Sequence, residues 1–92
     1  MRHSFKLKKS QIKSIFLNKF EIKSVTVDKS EDVENVVNTF LVYNKLEDFL
    51  TPIQCSYNFF DGTVSFQLEL DTDKDTSDFF KAIKKFETFV DA

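Results

Sequence analysis

The architecture of this chain can be inferred from residues 53–70, which read IQCSYNFFDGTVSFQLEL. Apolar and polar side chains alternate on both sides of Asp61-Gly62, as they do in half-buried strands. Asp-Gly between two such runs favours a two-residue type I′ turn, and therefore a β-hairpin. The turn sets a register in which apolar residues face one another across the strands: Phe59 with Val64, Tyr57 with Phe66, Cys55 with Leu68 and Ile53 with Leu70.

Residues 76–90 have the spacing of an amphipathic helix. Asp75 or Thr76 can supply the N-cap oxygen, and Asp78 lies in the first turn, where the helix dipole favours a negative charge. The predicted apolar stripe consists of Phe79, Ile83, Phe86 and Val90, flanked by Phe80 and Phe89.

Residues 30–50 are predicted to form the longest helix, with Ser30 as N-cap and an end before Pro52. The apolar stripe of the first half is Val33, Val36, Val37, Phe40 and Leu41. Beyond Leu41 the apolar residues leave this stripe, so either the helix bends near Asn44 or both sides of its second half are covered. The residues out of phase are Val42, Leu46 and Phe49.

The N-terminal third permits more than one assignment. Residues 21–27 are rich in β-branched side chains and are predicted to form a strand. Residues 10–20 fit a short helix, or else a strand that turns at Asn18-Lys19. Residues 3–8 alternate charged and apolar side chains and suit an edge strand, because charge discourages pairing with another chain.

Together these elements predict a single α+β domain over residues 1–92. It has an antiparallel sheet of three to four strands, with two or three helices packed on one face. The strand at 21–27, the hairpin and two helices match the first five elements of a ferredoxin-like unit, so an incomplete or permuted ferredoxin-like arrangement is expected. The strand at 3–8 can replace the missing final strand. The predicted core is Val36, Val37, Phe40, Tyr57, Phe59, Val64, Phe66, Leu68, Ile83 and Phe86.

Composition excludes several classes of function. The single cysteine, Cys55, excludes an internal disulfide, and with His3 as the only histidine it excludes cysteine-based zinc sites of four ligands. Cys55 lies on the inward face of a predicted strand, so a core residue is expected and not a nucleophile. One glycine cannot form a glycine-rich phosphate loop. No enzymatic activity, metal or cofactor is therefore predicted.

One acidic string resembles the start of a calcium-binding loop, with Asp71, Asp73 and Asp75 at positions 1, 3 and 5. The match then fails, because position 6 is Thr76 and not glycine, and position 12 is Ala82 and not glutamate. An acidic connection that caps the last helix explains the string without a metal.

No apolar run exceeds four residues, so neither a membrane span nor a signal peptide is expected. A cytoplasmic location without a membrane partner follows as an expectation. Residues with AT-rich codons (Phe, Tyr, Met, Ile, Asn, Lys) number 37, against 5 for Gly, Ala, Arg and Pro. This bias favours an AT-rich source, such as a low-GC bacterium, a phage or a mobile element.

Charge is divided unevenly along the chain. Residues 1–29 carry eight basic residues and two acidic ones, whereas residues 30–92 carry five basic and thirteen acidic ones. A basic segment can bind nucleic-acid phosphates, or it can attract the acidic remainder within the fold. The candidate nucleic-acid residues are Arg2, Lys6, Lys8, Lys9 and Lys13.

These exclusions favour recognition of another protein. The sequence predicts a small non-enzymatic protein-binding module that inhibits or adapts another macromolecule, such as a phage or mobile-element accessory factor or an immunity protein. A nucleic-acid-binding module that uses the basic N-terminal third is the alternative, and a homodimer would bury further apolar surface. A sheet edge at 3–8 or 21–27 could accept or donate a strand. The candidate interface residues are Val42, Leu46, Phe49 and Phe60.

Overall fold

The structure, a computed structural model, describes residues 1–71 and 75–91, the last three without their side chains. Within these described residues, three helices and a three-stranded antiparallel sheet confirm the α+β class. The elements in chain order are β1 (Arg2–Lys8), α1 (Lys9–Lys19), α2 (Ser30–Tyr43), β2 (Leu50–Asn58), β3 (Thr63–Leu70) and α3 (Thr76–Asp91).

The sheet has the order β1-β3-β2, with β3 antiparallel to both neighbours. β1 and β2 therefore run parallel to each other on either side of β3, and α1 and α2 connect them. This is a split β-α-β arrangement, in which the first strand is β1. The predicted first strand at 21–27 is not part of it, and the ferredoxin-like assignment stays a prediction.

Aromatic rings join the sheet to the helices. The ring of Phe86 on α3 lies 5.0 Å from Phe5 on β1, 6.0 Å from Phe66 on β3 and 5.5 Å from Phe40 on α2 (centroid distances). Phe40 in turn contacts Phe16 of α1 at 4.9 Å. The core thus lies on one face of the sheet. Eight predicted core residues are buried: Val36, Val37, Phe40, Val64, Phe66, Leu68, Ile83 and Phe86.

The hairpin of β2 and β3 forms, but its register differs from the predicted one. Tyr57 pairs with Val64 and Asn58 with Thr63, so the connecting loop contains four residues, 59–62. This shift of two residues keeps Tyr57 on the inner face, where it is half-buried against the core. Phe59 lies beyond the strand end and is exposed, so its prediction as a core residue is wrong.

Side-chain hydrogen bonds set this loop. Asn58 Oδ1 accepts from the Phe60 N–H (3.0 Å), and Asp61 Oδ1 accepts from the Thr63 N–H (2.9 Å). The Gly62 N–H donates to the Asn58 carbonyl at 2.9 Å, and Gly62 has a φ of 72°. A type I′ turn would need a positive φ at Asp61 as well. The four-residue loop spares Asp61 that conformation.

A β-bulge further along β2 shifts the register again. It lies between Ile53 and Ser56, where Gln54 has a φ of 50°. Two residues of β2 there face a single residue of β3. The predicted pairs are therefore wrong at Tyr57, Cys55 and Ile53, and the observed pairs before the bulge are Leu50 with Leu70, Pro52 with Leu68 and Ile53 with Gln67.

α2 ends at Tyr43 and does not continue to residue 50. The Leu46 N–H donates to the Leu41 carbonyl at 2.8 Å, and Lys45 has the left-handed conformation, with a φ of 57°. This arrangement is a Schellman motif, which terminates helices. The change of phase after Leu41 therefore marks a helix end and not a bend.

The start of α2 also differs by one residue. Ser30 is its first residue and not its N-cap. The Ser30 hydroxyl accepts from the Tyr57 N–H at 3.2 Å, which ties the helix to β2. Among the described residues, no side chain supplies an N-cap oxygen here; Asp32 Oδ2 instead reaches back from the third helical position and accepts from the N–H groups of Asp28 (2.9 Å) and Lys29 (3.3 Å).

Residues 21–27 form an irregular connection and not the predicted strand. Val27 is fully buried, and Ile22 and Val25 are half-buried. The Ile22 N–H donates to the Phe16 carbonyl at 2.9 Å, which holds the segment against the end of α1. The β-branched side chains therefore contribute burial and not strand pairing. By contrast, α1 confirms the helical alternative for its segment, and β1 confirms the edge strand.

α3 confirms the C-terminal helix. Asp75 Oδ1 accepts from the Ser77 N–H at 2.9 Å. Of the two predicted N-cap residues, Asp75 and Thr76, Asp75 is therefore the one that caps α3. Phe79, Ile83 and Phe86 are buried as predicted. The predicted roles of Phe89 and Val90 fall on side chains outside the described part.

Replacing Phe86 tests the aromatic core. Phe86→Ala should lower the free energy of unfolding by about 3–5 kcal/mol, because it removes the ring on which both layers pack. Phe80→Ala, six residues earlier on the same helix and exposed, should cost less than about 0.5 kcal/mol. Urea unfolding followed by circular dichroism measures both losses. If Phe86→Ala does not fold, Phe86→Leu can replace it and should lower the free energy of unfolding by about 1.5 kcal/mol. Equal losses for Phe86→Ala and Phe80→Ala would contradict this packing.

Replacing Gly62 tests the loop. A Cβ at this position would meet no atom within 4 Å, so only the backbone conformation opposes substitution. Gly62→Ala should cost about 1 kcal/mol of unfolding free energy, whereas Gly62→Asn should cost less, because asparagine tolerates the left-handed region. Urea unfolding of the three proteins checks this order. An alanine variant as stable as wild type would mean that the loop does not require a positive φ.

Candidate functional site

Among the described side chains, the two most exposed phenylalanines lie on the β2–β3 loop. Phe59 and Phe60 stack on each other with their centroids 4.2 Å apart, and they are 69% and 87% exposed. The hydrogen bond from the Phe60 N–H to Asn58 fixes the backbone between them. Two adjacent apolar rings in water are costly unless something covers them. Of the predicted interface residues, Phe60 is the one that the structure places on such a patch.

Three lysines lie beside this loop. The Lys8 Nζ donates to the Asp61 carbonyl at 3.2 Å, and the Lys9 N–H donates to the Gly62 carbonyl at 2.9 Å. Lys13, one turn further along α1, lines a shallow groove together with Lys8, Lys9 and Asp61. We call this region the tip surface, and define it as Lys8, Lys9, Lys13, Phe59, Phe60 and Asp61.

The tip surface also carries one negative charge. The hydrogen bonds that Asp61 accepts from Thr63 lower the pKa of its carboxyl group, and Lys8 and Lys6 lower it further. Asp61 therefore stays ionised, and it offsets part of the positive charge. Lys9 is engaged as well, since its Nζ lies 3.4 Å from Asp28 Oδ1 and 5.5 Å from the Tyr57 ring centroid.

The predicted nucleic-acid residues are only partly brought together. Lys8, Lys9 and Lys13 meet at the tip surface, whereas Lys6 lies along β1 opposite Ser65. Arg2, at the far end of β1, lies 3.4 Å from Glu69. The sheet face turned away from the helices carries no aromatic side chain among the described residues, because the aromatic side chains of the strands lie on the face that packs against the helices. Bases therefore find no stacking platform on this face.

The other predicted interface residues do not form one patch. Leu46 is buried, at 7% exposure, and Phe49 is half-buried, so the prediction of Leu46 as an exposed anchor is wrong. α3 covers both residues, and a shallow cavity of about 200 Å³ lies there, lined also by Ala82 and Lys85. Val42 alone is exposed, beside Tyr43 at the end of α2.

Residues with catalytic potential lie apart. Cys55 is half-buried on β2 and His3 lies on β1, with β3 between them, so the two side chains are separated by about 10 Å of sheet. Burial raises the pKa of the Cys55 thiol, and the charge of Glu34 raises it further, which disfavours the nucleophilic thiolate. The His3 imidazole instead meets Glu87, with Nε2 3.0 Å from Oε1.

Residues of the types that bind metals are dispersed over the described part of the chain. Within it, no three His, Cys, Asp or Glu side chains come together around a common point. Residues 72–74, the middle of the acidic string, lie outside the described residues. None of the described helices is long and apolar enough to cross a membrane. Comparison with protein families, curated proteins and solved structures finds no match to this chain.

The sequence offers a signal for the exposed pair that the strand pattern hides. Consecutive residues of a strand point to opposite faces, so Phe59 and Phe60 could not both have been buried in a one-sided sheet. Asn58 and Asp61 flank the pair, and both residue types form turns through their side chains. A loop at 59–62 was therefore readable from these residues.

The charge of Asp61 makes the stability of the tip surface depend on pH. Because folding lowers the pKa of this carboxyl group from its ordinary 3.8, the ionised form stabilises the fold above that pH, and the contribution disappears as the pH falls through the folded-state pKa. Wild type should therefore be more stable than Asp61→Asn at about pH 6, and the difference should shrink as the pH falls below 3.8 and through the lowered pKa of the folded state. Urea unfolding of both proteins across this range measures it. A difference that stays constant with pH would show that the charge has no part.

Proposed function

We propose that this protein is a non-enzymatic protein-binding module that inhibits or adapts another macromolecule, and that the tip surface is where it binds. The observation that carries the proposal is the stacked, exposed pair of Phe59 and Phe60 on a loop that is itself held by hydrogen bonds. A rigid aromatic pair of this kind loses little conformational entropy when it is buried by a partner.

The composition of the tip surface resembles that of a binding hot spot. Aromatic anchors surrounded by charged residues are typical of the centre and rim of protein interfaces. Complete burial of the two rings would contribute roughly 3–6 kcal/mol, which is a substantial part of a micromolar affinity. The neighbouring lysines would speed association with an acidic target. An accessory factor of a phage or mobile element, or an immunity protein, would use such a surface to block its target.

A nucleic-acid-binding module is the second candidate. Lys8, Lys9 and Lys13 lie at the same end of the sheet as two exposed aromatic rings, and single-strand binders combine basic and aromatic side chains in this way. Asp61 weighs against it, because an ionised carboxylate among the lysines repels phosphate. The rings of Phe59 and Phe60 also stack on each other, which leaves fewer free faces for bases.

A capture experiment with matched variants tests the proposal. Tagged wild-type protein and Phe59→Ser/Phe60→Ser would be incubated with lysate of the source cells, with and without nuclease, and the bound material read by mass spectrometry and a nucleic-acid stain. Wild type should retain a near-stoichiometric protein after nuclease, and the double variant should lose it by about tenfold or more. Phe80→Ser, which removes an exposed ring from α3, serves as the control and should retain it.

Two outcomes would contradict the proposal. A partner retained equally by the double variant and by wild type would place the interface elsewhere. Nucleic acid that is recovered without a protein, and lost in moderate salt, would favour the second candidate instead.

A further inference from the structure

The backbone of β1 presents free hydrogen-bonding groups at one edge of the sheet. The Leu70 N–H donates to the Met1 carbonyl (3.0 Å), and the Lys9 N–H donates to the Gly62 carbonyl (2.9 Å). Alternate residues of an antiparallel strand bond to the same neighbour. Residues 3, 5 and 7 therefore direct their N–H and C=O groups at β3, and residues 2, 4 and 6 direct theirs outward.

This outer edge is open over most of its length. The Lys8 N–H, the last on the outer side, donates to Gln11 Oε1 at 2.8 Å. Within residues 1–71 and 75–91, no hydrogen bond to the outward N–H groups of Arg2, Ser4 and Lys6 is found, and the side chains of these residues are exposed. β1 also contains no proline and no bulge.

The opposite edge, on β2, is closed by contrast. The Leu50 N–H donates to the Leu46 carbonyl at 3.1 Å, and the Tyr57 N–H donates to the Ser30 hydroxyl. Pro52 has no N–H, and the bulge at Gln54 interrupts the strand between them. Such features protect an edge from pairing. The β2 edge is therefore blocked from pairing with another strand, whereas the β1 edge can pair.

The charge of β1 selects among the strands that could pair with it. Arg2, Lys6 and Lys8 share the face turned away from the helices, and no acidic residue lies on this strand. A second copy of the chain would bring an identical row of positive charges opposite, which disfavours self-pairing. Acidic side chains on the incoming strand would instead lie beside Lys6 and Lys8, and beside Arg2, which also contacts Glu69. On the helix side, the half-buried His3 and Phe5 would be covered by apolar side chains.

We infer that β1 binds an extended segment of a partner protein, in which acidic residues alternate with apolar ones, as a fourth strand of the sheet. This inference rests on the proposed protein-binding function and names the chemistry of the partner. The backbone of residues 2, 4 and 6 supplies the hydrogen bonds, and the basic row supplies the preference for acidic sequences.

Synthetic peptides provide the probe. An acetylated and amidated peptide, Glu-Val-Glu-Tyr-Glu-Val-Glu, would be added to the ¹⁵N-labelled full chain and compared with the same peptide carrying Lys for Glu. The acidic peptide should bind at least about tenfold more tightly. It should slow amide hydrogen exchange at Arg2, Ser4 and Lys6 by about tenfold or more, while the amides of Phe5 and Leu7 are already protected by β3.

Variants of the edge separate pairing from simple charge attraction. Ser4→Pro removes one outward N–H without removing a bond to β3, and should weaken binding of the acidic peptide by about tenfold. Ser4→Ala keeps that N–H and should bind like wild type. Where Ser4→Pro does not fold, Lys6→Glu/Lys8→Glu leaves the backbone intact and should reverse the preference between the two peptides.

Three results would overturn the inference: equal binding of both peptides, equal binding by Ser4→Pro and Ser4→Ala, or exchange protection confined to other amides. Phe59→Ser/Phe60→Ser should bind the peptide as wild type does, because its β1 is unchanged. A negative peptide result together with loss of the captured protein in that double variant would reject the edge site and leave the proposed function standing. Normal peptide binding with no captured protein would reject the proposed function of the tip surface and leave the edge site standing.

Discussion

The packing of Phe86 against Phe5, Phe66 and Phe40 is the interaction on which the rest of this structure depends. One ring contacts an edge strand, the central strand and the neighbouring helix, so it fixes both layers at once. Because the aromatic residues of the strands lie on this face, the opposite face of the sheet carries mostly polar and charged side chains among the described residues, with Ile53 as an apolar exception. A three-stranded sheet covered on one side must also present two edges, and the chain closes only the one on β2.

A single glycine imposes a second constraint on the fold. Left-handed backbone conformations are needed where α1 ends, where α2 ends and at the bulge of β2, and Glu21, Lys45 and Gln54 adopt them. Each costs about 1–2 kcal/mol relative to glycine. The surrounding contacts must offset this cost, as the burial of Leu46 does in the Schellman motif that contains Lys45. Gly62 is used where the loop carries the exposed phenylalanines.

Burial was predictable from the sequence where periodicity governs it. The stripe of α3 and the alternation of β3 depend on local geometry alone, so Phe79, Ile83, Phe66 and Leu68 were placed correctly. The alternation of apolar and polar residues alone predicted the wrong register, because it does not contain the side-chain hydrogen bonds of Asn58 and Asp61 that set the four-residue loop. The burial of Leu46 was missed for another reason. It depends on where α2 ends and on where α3 packs, and the position of α3 is set by tertiary contacts that a local pattern does not contain.

The two candidate surfaces meet at Lys8. This residue ends β1, caps the open edge where its N–H turns to Gln11, and reaches the carbonyl of Asp61 with its ammonium group. A strand paired with β1 would therefore have one end beside Phe59 and Phe60. Backbone hydrogen bonds along the edge would fix the direction and register of the partner, and the lysines would favour acidic residues. The aromatic pair would bury apolar residues of the partner that lie beyond the paired strand. Under the proposed function, one end of a small, one-sided sheet would thus supply backbone, charged and apolar contacts to the same partner.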